Sequence, residues 1–152
     1  MGRFIMSWPS LGLKVRCRSL DVNQDAFALF VENMPVRALQ GHEMVGGWLL
    51  RDHSILFNQN LFTIPAAELT TEKMDAAPVG RISLLQPQLR GAELLVKYDK
   101  SVENREYVPI AQVEEADLEI LKKAGKEQWK ATSRTREIIF VERTRSGYAG
   151  RV

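Results

Sequence analysis

The run VGRISLLQPQLRGAELLVKYDKSVENREYVPIAQV, Val79 to Val113, decides the architecture. Three of its segments, VGRISLLQ (79–86), AELLVKYD (92–99) and REYVPIAQV (105–113), are apolar, of strand length, and bounded by turn-forming residues. PQLRG (87–91) reads as a hairpin connection between the first two. A parallel crossover takes about a dozen residues or more, so links this short predict antiparallel neighbours.

The same reading extends toward the N-terminus. GLKVRCRSL (12–20) alternates apolar Leu13, Val15 and Cys17 with basic Lys14, Arg16 and Arg18, the period of a strand with one wet face. RFIM (3–6) can pair with it across a turn supplied by Pro9 and Gly12. In DVNQDAFALFVENMP (21–35) the period becomes helical. Phe27, Phe30, Val31 and Met34 share a face, Asp21 and Gln24 read as a capping box, and Pro35 stops the helix. From Pro35 to Phe62, breaks at Gly41, Gly46-Gly47 and RDHS separate two or three short strands. QNLFTIPAAELTTEKMDAAP (59–78) has no period and is long for a connection, which marks it as a functional or mobile loop.

Toward the C-terminus, EEADLEILKKAGKEQWKA (114–131) places Leu118, Leu121, Gly125 and Trp129 on one helical face. REIIFVERT (136–144) is a closing strand, and the tail at 145–152, RSGYAGRV, reads as loose. Strands outnumber helices, and a closed sheet leaves no edge to protect. The prediction is a mainly β fold: a small antiparallel β-barrel with two helices, formed by residues 1–152 as one domain.

Composition narrows the function. The chain has 152 residues, 45% of them apolar, enough for a core without metal or disulfide support. Its 21 basic and 19 acidic side chains are interspersed, so no basic stripe predicts nucleic acid as a partner. The longest apolar run is too short to cross a bilayer. The single Cys17 cannot form an intramolecular disulfide and fits a reducing, cytoplasmic setting. With His42, His53 and Cys17 dispersed, no metal site is expected. Cys17 reads as a small buried hydrophobe rather than a nucleophile, and no P-loop, G-x-G-x-x-G or G-x-S-x-G motif occurs.

One short stretch carries chemical interest. In LQGHE (39–43), His42 is the best general acid or base by type, and in a turn after Gly41 it and Glu43 could reach one cleft. On a strand the two would face opposite ways. On the residues alone, an ordinary turn histidine satisfied by a hydrogen bond is the simpler reading. Trp8, Trp48 and Trp129 read as core, with Trp48 partly exposed near the same turn. Arg37, Arg51 and Arg81 interrupt apolar strands, where an inward guanidinium could clamp a carboxylate, although a solvated outer face is the simpler reading of any one of them, least comfortably of Arg81.

NMPVRALQGHEMVGG (33–47), DAAPVGRISLLQPQLRGAELLVKYDKS (75–101) and LKKAGKEQW (121–129) together resemble the cyclophilin-like domain of cucumopine and mikimopine synthases and their bacterial relatives. The likeness runs from about Gly12 to Arg143, and its most specific piece is Leu39 to His42. It implies a cyclophilin-like barrel that forms a homo-oligomer. In the opine synthases it implies a redox-neutral, cofactor-independent condensation of histidine with 2-oxoglutarate, in which the imidazole ring closes on an imine. Those synthases also carry a C-terminal helical bundle that has no counterpart in this sequence, and the arginine and Phe/Gln cluster of prolyl isomerases is not found. On this reading the protein is an enzyme acting on a small amino-acid-derived, carboxylated or cyclic amide substrate. His42, Gln40 and Glu43 would be catalytic: His42 moving a proton, Gln40 orienting a carbonyl or carboxylate, and Glu43 raising the imidazole pKa. Arg37, Trp48 and Arg81 would bind substrate, and the 59–78 loop would cover the pocket. The alternative is a non-catalytic, ligand-binding or oligomer-forming barrel in which the Q-G-H segment is structural.

Overall fold

A computed structural model describes residues 2–53, 64–85 and 93–147. The strands are β1 (Arg3–Trp8), β2 (Leu13–Ser19), β3 (Val36–His42), β4 (Gly47–His53), β5 (Glu72–Lys73), β6 (Arg81–Leu84), β7 (Leu94–Ser101), β8 (Glu106–Val113) and β9 (Ile139–Arg145). The helices are α1 (Gln24–Glu32) and α2 (Leu118–Lys130). Neighbours run β2-β1-β9-β3-β4-β7-β6-β8, and β8 pairs back onto β2, closing an eight-stranded barrel. The pairings are antiparallel, and the two-residue β5 adds to the rim of β8. The expected mainly β closed barrel with two helices is the fold observed. The PQLRG connection, residues 59–63 of the predicted loop and the last residues of the tail (148–152) lie outside the described residues.

Alternation along the strands fills the lumen. Phe4, Met6 and Trp8 of β1 meet Val15 and Cys17 of β2, Leu50 of β4, Ile82 and Leu84 of β6, Leu94, Val96 and Tyr98 of β7 and Val141 of β9. α1 packs Phe27 and Phe30 against Phe4, whereas α2 reaches the other end of β1, near Trp8. A second, smaller apolar cluster lies on the outer wall, where Leu49, Leu95 and Tyr107 pack under Met74 and Ala77. Lys97 holds that cover down. Its buried ammonium donates to the carbonyls of Met74 (2.8 Å), Asp75 (3.1 Å) and Ala77 (2.6 Å). Burial lowers its pKa, opposed by the charges of Asp75 and Glu72.

Three local expectations are corrected. Asp21 and Gln24 do not form a capping box: the cap is Asn23, whose left-handed backbone frees its side chain to clamp Thr70 and Pro109 instead. Residues 64–78 are not a period-free loop throughout, since they include a 3-10 turn at Ala66–Glu68 and strand β5. Gln40, Gly41 and His42 form the end of β3, with Gln40 opposite Asp52 and His42 opposite Leu50, rather than a turn. The reversal comes afterwards and ends at Gly47, whose φ of +106° and close approach to Lys100 and Ser101 exclude a side chain.

Gly125 of α2 sits against the ring of Tyr98 so closely that an added Cβ would lie 2.5 Å from three ring carbons. Gly125→Ala gains about 1 kcal/mol of helix propensity, but overpacking a closed core costs about 1–3 kcal/mol. A net loss of up to about 2 kcal/mol is expected by urea unfolding, and a net gain of about 1 kcal/mol, the full helix propensity, would place α2 farther from the barrel.

Candidate functional site

The residues of LQGHE separate into three environments. Gln40 points into the lumen and is 3% exposed. Its carbonyl oxygen accepts from Trp8 Nε1 (2.6 Å) and Gln128 Nε2 (3.3 Å), and its amide donates to Asp52 Oδ1 at 2.8 Å. Asp52 in turn accepts from Arg143, and both are fully buried. The expectation that Gln40 lines a pocket is therefore corrected: every polar atom of its amide group is engaged inside the barrel.

His42 also faces inward, 6% exposed. Its Nδ1 lies 2.6 Å from the backbone oxygen of Glu43, which can only accept, so Nδ1 carries the hydrogen. Its Nε2 therefore accepts from Tyr98 Oη at 2.6 Å. Burial lowers the His42 pKa, and the carbonyl and charge of Glu43 only partly oppose this. The expected rise in the imidazole pKa is thus reversed, because desolvation outweighs a carboxylate on the far side of the strand. Burial likewise pushes the Tyr98 phenol up, so the pair is neutral. Trp48, Tyr98 and Trp129 enclose the imidazole edge-on, with ring centroids 4.9–6.0 Å away. The bland reading of His42, a histidine satisfied by hydrogen bonds, describes its geometry.

The Glu43 side chain goes the other way, onto the outer wall. There Arg51 of β4 stands between two carboxylates, donating Nη1 to Glu43 at 2.8 Å and Nη2 to Glu93, just before β7. Burial disfavours the guanidinium charge, but the two carboxylates outweigh it and raise its pKa. This triad edges a cavity of about 110 Å³ lined also by Leu49, Leu95, Glu103, Arg105 and Tyr107. Burial and the charge of Glu103 raise the Tyr107 pKa, keeping a neutral phenol at the wall. Three carboxylates against two guanidiniums leave the cavity one negative charge in excess. Arg51 stands out in the sequence as a guanidinium able to clamp a carboxylate, but from the inner face rather than the outer wall. The convergence of Glu93, Glu103, Arg105 and Tyr107 on it was not readable there, because it depends on which strands become neighbours.

Of the expected binding residues, Trp48 lies beside His42, 44% exposed at the barrel end. Arg37 is on the surface, stacked 4.3 Å over Phe140 and 3.7 Å from Glu142. Arg81 pairs with Glu72 at 2.6 Å. Neither of these arginines lines the outer-wall cavity. Of the residues expected to cover a pocket, Met74 and Ala77 lie on the outer wall against Leu49, Leu95 and Tyr107. Among the described residues no group of three or more His, Cys, Asp or Glu is arranged to hold a metal, and no helix is long and apolar enough to cross a membrane.

The structure of McbB in complex with tryptophan is similar to this chain, with a TM-score of 0.84 and 27% identity over 98% of this chain and 46% of that one. The chain thus spans just under half the length of that protein. No family model and no curated protein matches it.

The His42 geometry has a measurable consequence. A folded pKa below the unfolded value near 6.5 means that the unfolded chain takes up the proton first. The stability of a neutral His42 is therefore present above about pH 6.5 and is lost as pH falls through the lower folded pKa. Urea unfolding of the wild type and His42→Gln from pH 7.5 to 5 should show the wild type losing its advantage over that interval. A constant difference would mean that the ring takes up its proton without penalty.

Proposed function

We propose that the protein is a small-molecule enzyme that joins an amine-bearing, amino-acid-derived substrate to a carbonyl compound by acid–base catalysis at the outer-wall cavity. The observation that carries this reading is Arg51 fixed between Glu43 and Glu93 beside the neutral Tyr107 phenol. Carboxylates and a protonated phenol side by side supply the two opposite proton-transfer roles that a condensation needs.

The excess negative charge favours an ammonium over a carboxylate in the cavity. Glu93, at its mouth, would take a proton from the ammonium and free the nucleophile. Attack on the carbonyl gives a carbinolamine, and Tyr107 would protonate the departing hydroxyl, which leaves as water. Ring closure of a nucleophilic aromatic carbon or nitrogen on the imine is redox-neutral, so acids and bases suffice for it. Arg51 would hold both carboxylates in place, and the exposed Arg105 at the edge of the cavity would meet an acid group of the carbonyl partner. At about 110 Å³ the cavity accommodates the reacting groups, with the rest of the substrate outside it. The resemblance to cucumopine synthases and the likeness to a structure holding tryptophan support an amino acid as the amine component. His42 and Gln40 then act by fixing β3, and Glu43 is the member of LQGHE that reaches the reacting groups.

Mass spectrometry of the protein incubated with tryptophan or histidine and 2-oxoglutarate should reveal a product equal to their sum less one water. Glu93→Gln and Arg51→Met should each lower its rate by about 10²–10⁴, and Glu93→Gln should remove the thermal shift given by tryptamine. Turnover unaffected by both substitutions would overturn the assignment of the outer wall.

A further inference from the structure

The other face of the β3–β4 hairpin carries a second concavity, unused by the outer-wall chemistry. Trp48 and Trp129 form a corner with centroids 6.1 Å apart and planes at 81°, and Tyr98 closes it 6.2 Å from Trp48. Among the described residues the hollow, about 190 Å³, is bounded otherwise by Asp99 and Lys126. A cavity of roughly 150 Å³ admits a benzene ring, so this one has room for a single ring with a substituent. The perpendicular indoles let a flat ligand stack on one face while meeting the edge of the other, the arrangement aromatic pairs prefer.

The charges at its rim are not equivalent. Asp99 is engaged by the Lys122 ammonium at 3.8 Å and by the backbone N–H of Lys100 at 2.9 Å. Lys126 has no ion-pair partner among the described residues. The uncompensated charge at the mouth is thus positive, opposite to that of the outer-wall cavity. His42 and Tyr98, neutral and hydrogen-bonded to each other, present no competing charge at the base.

We infer that the Trp48–Tyr98–Trp129 corner is a binding site for a flat aromatic carboxylate, with the ring against the indoles and the carboxylate on Lys126. The site is separate from the outer-wall reading and stands if that reading fails. It selects against the aromatic amines that the outer wall favours, so the two faces of one hairpin take ligands of opposite charge.

The three tryptophans provide the test, because each gives one indole N–H signal in a ¹H–¹⁵N spectrum and Trp8 is an internal control inside the barrel. Benzoate should shift the Trp48 and Trp129 signals saturably and leave that of Trp8 in place. Benzamide, equal in shape but neutral, should bind roughly two- to fivefold more weakly, and Lys126→Met should erase that difference. Lys126 is exposed, so its replacement does not endanger the fold. Glu93→Gln should leave the benzoate titration unchanged. Shifts that fail to saturate, that are equal for benzoate and benzamide in the wild type, or that vanish in Glu93→Gln would overturn the inference.

Discussion

A carboxylate and a guanidinium that touch no solvent, Asp52 and Arg143, meet inside the barrel. Taking two such charges out of water costs several kcal/mol each, and their attraction offsets this only while the geometry holds. The surrounding polar groups fix that geometry. Gln40 bonds the second Asp52 oxygen, Trp8 and Gln128 both bond Gln40, and the chain of contacts links β1, β3, β4, β9 and α2. A slip of one residue in β4 would turn Asp52 to the outer wall and leave Arg143 unpaired in the lumen, and a slip in β3 would take Gln40 away from Asp52. The register of the β3–β4 hairpin therefore follows from the interior pair.

Once that register is set, the chemistry of the two faces follows. Inward-facing His42 becomes neutral because it is desolvated, and it takes Tyr98 as its partner. Outward-facing Arg51 keeps its charge because Glu43 and Glu93 meet it at the surface. Residues of two paired strands thus acquire opposite electrostatic roles, and Glu43 links them: its backbone oxygen accepts from His42 while its side chain holds Arg51. Lys97 completes the outer wall: it binds three carbonyls and so positions Met74 and Ala77 over Leu95 and Tyr107.

The sequence disclosed the barrel because its evidence is local: period-two strands, links too short for parallel crossovers, and two amphipathic helices. Trp8 and Cys17 were legible as core for the same reason. The polar lumen was not legible, since Gln40, Asp52, Gln128 and Arg143 are far apart in the chain and each alone resembles a surface residue. Arg143 in particular lies near the end of the last strand, between Glu142 and Thr144, where a charged side chain resembles a surface one. The LQGHE stretch was singled out for its chemistry, but glycine at position 41 was taken for a turn when it belongs to an ordinary strand. That shift of one feature moved Gln40 from a pocket to the core and left Glu43 as the residue on the outer wall.

The dependence on the interior pair is tested most directly by a double-mutant cycle of Asp52→Ala, Arg143→Met and both together, followed by urea unfolding. Removing one partner strands a buried charge and should cost about 3–5 kcal/mol. Removing both eliminates that charge, so the double variant should be more stable than Asp52→Ala alone. If the two losses simply add, the charges do not depend on each other, and the register of the hairpin must be set by something other than their contact.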